Sequence, residues 1–396
     1  MGPLSGVRVL DLSMVVAGPF CTMMLGDLGA DVIKIEPPGG EIIRYSNSAR
    51  GNGVSVGMLN WNRNKRAMVM DLKHPGASEV FLRMAEQADV IVQNVRPGVV
   101  ERLGVGYETV AARNPKIVYC SIAGLGFTGP FANKPAYDPI IQGWTGVLQT
   151  QAADGKPRLV KNILADKVTA MTSAISILAA LHRARAEGRG QHVKIAMIDA
   201  VAYYMLPDTM GENTYLPHQP GTPPAGGNSS EPMRTADGFI SIGPITDKHW
   251  RSLVAAVGHP EWFQVEEMRH FSLEWLKARM EKVRQATEKL VELFPTRTSA
   301  HWLEVIEKAD VPCGPVHNYD TIWSDPQFVA NGTFLEYEHP KAGWVRAVRS
   351  PARFSETDPE LWRHSPALGE QTGEILADLG FSADEIAGLK AERVVS

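Results

Sequence analysis

The chain has 396 residues, 44% of them hydrophobic and 21% charged, with a formal net charge of -4. That balance describes a globular protein long enough for two domains with their own cores, and it excludes a fibrous or disordered chain. The small negative charge lacks the basic excess that would bind nucleic acid through its phosphates, so an anionic ligand needs a local cluster of cations.

Over the first two hundred residues, short β-rich runs alternate with helical stretches, the signature of a parallel sheet flanked by helices. VRVLDLS (7–13) and DVIKIE (31–36) are predicted strands around a helix opened by Gly18-Pro19 and closed at Gly29. AMVMDLK (67–73), DVIVQN (89–94), KIVYCSI (116–122) and HVKIAMID (192–199) continue the series, with Asp199 ending a strand and capping the next helix. The order is Rossmann-like, but MVVAGPFCTMMLGDLGA lacks the three-glycine loop that brings backbone close to a pyrophosphate. A nicotinamide dehydrogenase is therefore disfavoured.

Residues 161–170 read KNILADKVTA. From there Val168, Met171, Ile175, Leu178 and Leu181 recur at the spacing of one buried helical face, and Gly188 supplies the stop. Asp166 stands at the start of that helix, where a carboxylate caps free N–H groups and is kept ionised by the helix dipole. The pattern alone leaves open whether it is a cap or a reagent.

PHQPGTPPAGGN (217–228) concentrates Pro and Gly and marks a boundary near 210–230. DGFISIGPI then predicts a strand, and 247–310 carries Trp and Leu at helical spacings, giving a smaller α+β unit. The C-terminal QTGEILADLGFSADEIAGLKAERVV is two short helices separated by Gly380, the second capped by Ser382. The expected division is 1–215 for a large domain, 225–320 for the small one, and 325–396 for a segment returning to the first.

Cys21, Cys120 and Cys313 are too few and too scattered for a disulfide framework or a zinc site, which suits a reducing compartment. Arg8 and Asp11 interrupt the N-terminus too early for a signal peptide, and no apolar run of about 18 residues stands out, so a cytoplasmic location is expected. His182 and His192 have no second metal-type ligand at a suitable spacing and read as surface or packing residues. Serine elbow, zinc-helix and phosphate-loop motifs are all absent. Basic or amide groups instead gather in WNRNKR (61–66) with Lys73, in QNVRPGVVERLG (93–104), in NKPAYD (133–138) and beside the glycine loop AGGN (225–228).

AGPFCTMMLGDLGADVIKIEPPGG, NRNKRAMVMDLK, ADVIVQNVRPGVVERLGVGYE and IVYCSIAGLGFTGP resemble the class III CoA-transferases, the CaiB/BaiF group that includes formyl-CoA transferase, carnitine CoA-transferase and α-methylacyl-CoA racemase. The likeness continues through ILAALHRARAEGRGQHVKIAMIDA, TADGFISIG, VPCGPV and SPALGEQTGEIL, nearly the whole chain. The resemblance implies an α/β fold, with a Rossmann-like large domain and a smaller α+β domain, in an interlocked homodimer. It implies transfer of coenzyme A from an acyl-CoA thioester to a small carboxylic acid, with no metal and no tightly bound cofactor, and with neither nucleic acid nor membrane as partner.

By the same resemblance Asp166 is the nucleophile. Val16 and Ala17 lie near the CoA thiol, although formyl-CoA transferase has glutamine where this chain has Val16. Met70, Asp71, Leu72 and Lys73, then Asn94, Val95 and Arg96, match segments around the CoA nucleotide. Arg102 matches an arginine at its phosphates, and Lys134 and Ala136 fall in a CoA-binding loop. Pro37 replaces an arginine of formyl-CoA transferase, whose contact would be absent or pass to Arg44 or Lys65. Gly226 and Gly227 match a glycine loop over the active aspartate, where backbone N–H groups approach a reacting carbonyl.

The racemase branch has His where this chain has Tyr137. A phenol is a poor base at neutral pH but donates a hydrogen bond to an oxyanion, which favours transfer. A 2-methylacyl-CoA racemase and a non-catalytic acyl-CoA-binding protein remain the alternatives. Arg158, Lys161 and Lys167 near Asp166 raise the question of a dicarboxylate acceptor.

Overall fold

The computed structural model describes residues 2–46, 54–216, 231–265 and 272–396. The chain divides into two compact units, Met1–Met210 with Ala330–Ser396, and Gly211–Val329.

The larger unit is built on six parallel strands: β1 (Arg8–Asp11), β2 (Asp31–Glu36), β3 (Lys65–Val69), β4 (Val90–Gln93), β5 (Val118–Ala123) and β6 (Gln191–Ala196). Their order is β3-β2-β1-β4-β5-β6, so the winding reverses between β1 and β4 and opens a crevice at the carboxyl ends of those strands.

Helices cover both faces, so both sets of alternating side chains are apolar. Val9, Val32, Val90, Val92, Val118 and Cys120 pack with helix α1 (Ala17–Asp27) and with the Leu164–Glu187 helix. Leu10, Ile33, Met68, Ile91 and Tyr119 pack on the other side with the Ala77–Ala85 and Thr372–Asp378 helices.

The C-terminal segment closes the β3 edge. Gln371 N–H donates to the Ala67 carbonyl at 3.0 Å, and Ala67 N–H donates to Gln371 Oε1 at 2.9 Å. Arg66 forms ion pairs with Asp31, Glu374 and Asp378, and Met70 bridges to Val395. Ser382 caps the Ala383–Ala391 helix, as the sequence predicts, and with Glu385 it forms a reciprocal capping box.

Three local expectations are corrected. Leu164–Glu187 buries Ala165, Thr169, Ala170, Ser173, Ala174, Ile177, Ala180, Leu181 and Ala184, whereas Met171 and Ile175 of the predicted buried face are exposed. Small side chains face inward because α1 and the sheet approach this helix closely. At 24 residues it is also the one described helix long and apolar enough to cross a membrane, with its inner face packed in the core. Asp199 ends no strand: β6 stops at Ala196, and Asp199 lies in the first turn of the Met197–Thr209 helix.

The smaller unit carries a three-stranded antiparallel sheet, Met233–Arg234, Phe239–Ile242 and Cys313–Pro315. Trp250, Leu253, Phe294, Trp302 and Ile306 from its helices pack against Ile240 and Ile242, an α+β arrangement.

Candidate active site

The crevice is walled by the loop after β1, and each residue of that loop is tied down. Asp11 accepts from Ser13 N–H at 2.9 Å and from Thr22 Oγ1 at 2.7 Å, and it pairs with Lys65 at 2.9 Å. Met14 exchanges two hydrogen bonds with the Asn94 amide across the point where the winding reverses, at 2.8 and 2.7 Å. Val15 N–H donates to Glu41 Oε2 at 2.6 Å, and Val16 provides the N-cap position of α1. Gly18 is required here, because a Cβ would fall 2.1 Å from that of Ser13.

Asp166 faces this loop from the third position of the Leu164–Glu187 helix, and the Ala17 N–H hydrogen-bonds to its carboxylate. It is not the cap. The cap position is Ile163, and the first-turn amides are taken by the buried Asp138, whose Oδ2 accepts from Ala165 N–H at 2.6 Å and from Asp166 N–H at 3.3 Å. Asp138 Oδ1 in turn accepts from Gln142 Nε2 at 2.6 Å. A remote side chain thus satisfies the helix terminus, and the Asp166 carboxylate is left for other work.

The expectation that the helix terminus keeps Asp166 ionised is also corrected. Burial, followed by the like charge of Asp138, pushes its carboxyl up to about 7, and the Ala17 hydrogen bond opposes the rise only in part. A carboxylate made this basic is a stronger nucleophile when ionised.

The other residues singled out from the sequence fall into three groups. Val16 and Ala17 are buried beside Asp166. Tyr137, 68% exposed, precedes Asp138 at the start of the Asp138–Trp144 helix, and Ala136 packs against Gly124. Lys134 is exposed, with its ammonium 5.0 Å from the Trp144 ring centre. Of this segment, Asp138 is the residue bonded to the Asp166 helix, through the Ala165 and Asp166 amides.

Lys73 and Arg96 are exposed, and Asp71 and Leu72 half-buried, on the loops after β3 and β4, and exposed Arg102 ends the short Val99–Arg102 helix. Met70 is different: its side chain belongs to the core and its N–H donates to the Glu36 carbonyl at 2.9 Å, so neither is available to a ligand. Asn94 is committed to Met14, and Val95 is packed against the core. Arg44 and Lys65 are buried in ion pairs with Glu36 and Asp11, so neither substitutes for the arginine that Pro37 replaces. Gly226 and Gly227 lie outside the described residues.

Among the cations near Asp166, Arg158 pairs with Asp154 at 3.2 Å and Lys167 donates to Asn162 Oδ1 at 2.7 Å, whereas Lys161 is exposed. His182 is on the surface, and His192 stacks on Tyr107 and hydrogen-bonds to Ser121. Among the described residues no group of three or more His, Cys, Asp or Glu side chains is placed to hold a metal ion.

The residues that sequence reasoning missed are Asp138, Glu41 and Lys34. Asp138 is visible only as an acid before Pro139 at a helix start, which signals a cap for its own helix and not for one 28 positions away.

The family model for CoA-transferase family III matches residues 4–372. A succinate–glutarate CoA-transferase of Agrobacterium fabrum is 34% identical, the match covering 95% of this chain and 96% of that one. A formyl-CoA:oxalate CoA-transferase of Rhodopseudomonas palustris is 31% identical over 97% and 95%. The crystal structure of a CAIB/BAIF family protein from Brucella suis superposes with a TM-score of 0.79 at 29% identity, covering 96% of this chain and 99% of that one.

Proposed function

The chain belongs to CoA-transferase family III, and from that premise we propose that Asp166 carries coenzyme A from an acyl-CoA donor to a free carboxylic acid. The observation that carries this reading is the division of labour between two aspartates: Asp138 caps the helix, and Asp166, relieved of that task, meets the Ala17 N–H at the crevice.

The exchange runs in four balanced steps. The Asp166 carboxylate attacks the thioester carbonyl and expels CoA thiolate, leaving a mixed anhydride. The thiolate then attacks the Asp166 carbonyl carbon and releases the first acid as its carboxylate, leaving an aspartyl-CoA thioester. The incoming carboxylate attacks that thioester, forming a second anhydride and freeing the thiolate. Thiolate attack on the acceptor carbonyl completes the new acyl-CoA and restores Asp166. Covalent catalysis keeps the activated bond throughout and replaces one difficult exchange with acyl transfers.

Acylation removes the negative charge that burial and Asp138 both disfavour, so the environment of Asp166 promotes its own reaction. The Ala17 N–H supports the oxyanion that forms on Asp166 whenever its carbonyl is attacked, and the Tyr137 hydroxyl is assigned the equivalent role at the substrate carbonyl. Exposed Lys73, Arg96 and Arg102 suit the phosphates of CoA.

Succinate, glutarate and oxalate, named for the relatives, are all dicarboxylic acids, and we assign this acceptor class here, with exposed Lys161 as the cation for the second carboxylate. Met171, Ile175, Tyr203 and Tyr204 are exposed on the Leu164–Glu187 and Met197–Thr209 helices, which suits a homodimer contact there, and three unpaired cysteines suit a cytoplasmic setting.

The test is mass mapping of the Asp166 peptide after incubation with acyl-CoA thioesters, with and without free acids. A CoA-sized adduct, discharged by a particular dicarboxylate and absent in Asp166→Ala, is expected. Exchange of an α-proton on a 2-methylacyl-CoA without any adduct replaces the reading with racemisation.

A further inference from the structure

The Val15 backbone has φ +70°, in the left-handed region, where a β-branched side chain is crowded. Such a conformation persists only where the surroundings hold it. The holder is a pair of side chains with no exposure at all: Lys34 and Glu41, 2.6 Å apart.

This pair grips the loop on both sides of Met14. Glu41 Oε2 accepts from Val15 N–H at 2.6 Å, and Lys34 Nζ donates to the Ser13 carbonyl at 3.0 Å. Further charged groups buttress the grip. Glu41 N–H donates to Glu36 Oε1 at 3.1 Å, and Glu36 also accepts from Arg44 Nε at 2.7 Å. Asp11 and Lys65 form the adjoining buried pair.

So many desolvated charges are a poor route to stability, because well-packed apolar residues serve a core as well. What the pair provides is one conformation of one loop, two residues before the Ala17 N–H that meets Asp166.

We propose that the buried Lys34–Glu41 pair is a positioning device for CoA transfer, holding Val15 in its left-handed conformation so that the Ala17 N–H stays directed at Asp166. The inference rests on the reading of Asp166 as nucleophile. Neither residue touches substrate. They act through the loop, on a donor needed each time the Asp166 carbonyl is attacked, and a preorganised donor contributes most when it does not have to move.

The experiment uses the full-length enzyme with Lys34→Met/Glu41→Leu, which replaces the ion pair by apolar groups of similar size. Its kcat falls at least tenfold while KM for the acyl-CoA changes less than about threefold. The acidic limb of the pH–rate profile moves to higher pH as Asp166, still facing Asp138, loses the Ala17 hydrogen bond. Adding Val15→Gly restores part of the rate, because glycine keeps the left-handed backbone without a holder.

Wild-type kcat in the double variant, a loss confined to KM, or no restoration by glycine overturns the proposal. If the double variant does not fold, Glu41→Gln decides, since it keeps the volume but removes the charge that anchors Lys34 and so loosens the grip on Ser13 and Val15: a several-fold fall in kcat is expected, and wild-type kcat overturns it. Mass mapping separates the two readings. No adduct on wild-type Asp166 removes the nucleophile, whereas an adduct formed as fast in the variant as in wild type removes the positioning role alone.

Discussion

Asp166→Asn is expected to abolish transfer and at the same time make the protein more stable above neutral pH. The carboxyl rises from 3.8 to about 7 on folding. Each tenfold change in proton affinity corresponds to about 1.4 kcal/mol, which sets a ceiling of about 4 kcal/mol on the cost of carrying the charge.

The native pKa lies above the unfolded one, so the stabilising effect of the proton is complete below pH ~4 and is lost as pH rises through about 7. Asparagine is neutral at every pH, fills the same space and still accepts from the Ala17 N–H. Urea unfolding without ligand at pH 8 and pH 5 measures the effect. The Asn variant gains up to about 4 kcal/mol at pH 8 and less than about half of that at pH 5. An equal gain at both values, or none at pH 8, refutes the reasoning that burial and Asp138 strain this carboxylate.

In Asp138→Asn the helix amides keep an acceptor, since Asn caps as well as Asp, but the repulsion on Asp166 is gone. The acidic limb of kcat/KM, expected near pH 7 in the wild type, moves to lower pH while stability changes little; an unmoved limb rules out the electrostatic coupling. Tyr137→Phe is expected to lower kcat about tenfold or more with KM for the acyl-CoA nearly constant, measured by steady-state kinetics. Arg96→Ala and Arg102→Ala are expected to raise KM for CoA thioesters several-fold with little change in kcat, an effect that weakens in high salt.

The six strands were legible because a parallel sheet covered on both faces turns its strands into near-continuous apolar runs. Burial within the Leu164–Glu187 helix was not. Periodicity counted Met171 and Ile175, but close packing selected Ala, Ser and Thr, whose weak hydrophobic signal hides the inner face. The loops after the sheet strands were readable as basic, glycine-rich segments. The role of Asp138 was not, because its partners lie 27 and 28 residues away.

Reading DVIKIE as a strand did not single out Lys34 and Glu36. A usable signal was nevertheless present: a charge in a strand buried on both faces must have a buried partner, and Glu41 and Arg44 follow within ten residues.

The closure of the β3 edge by residues about 300 positions later has a consequence for synthesis. At about 5–20 residues per second, that edge emerges from the ribosome some 15–60 s before the segment that covers it. Unpaired strand edges invite pairing with other nascent chains, and charged side chains discourage it. Lys65 and Arg66 open this strand. Charges at that position disfavour such pairing, so apolar replacements there should lower the yield of chain that reaches the native state.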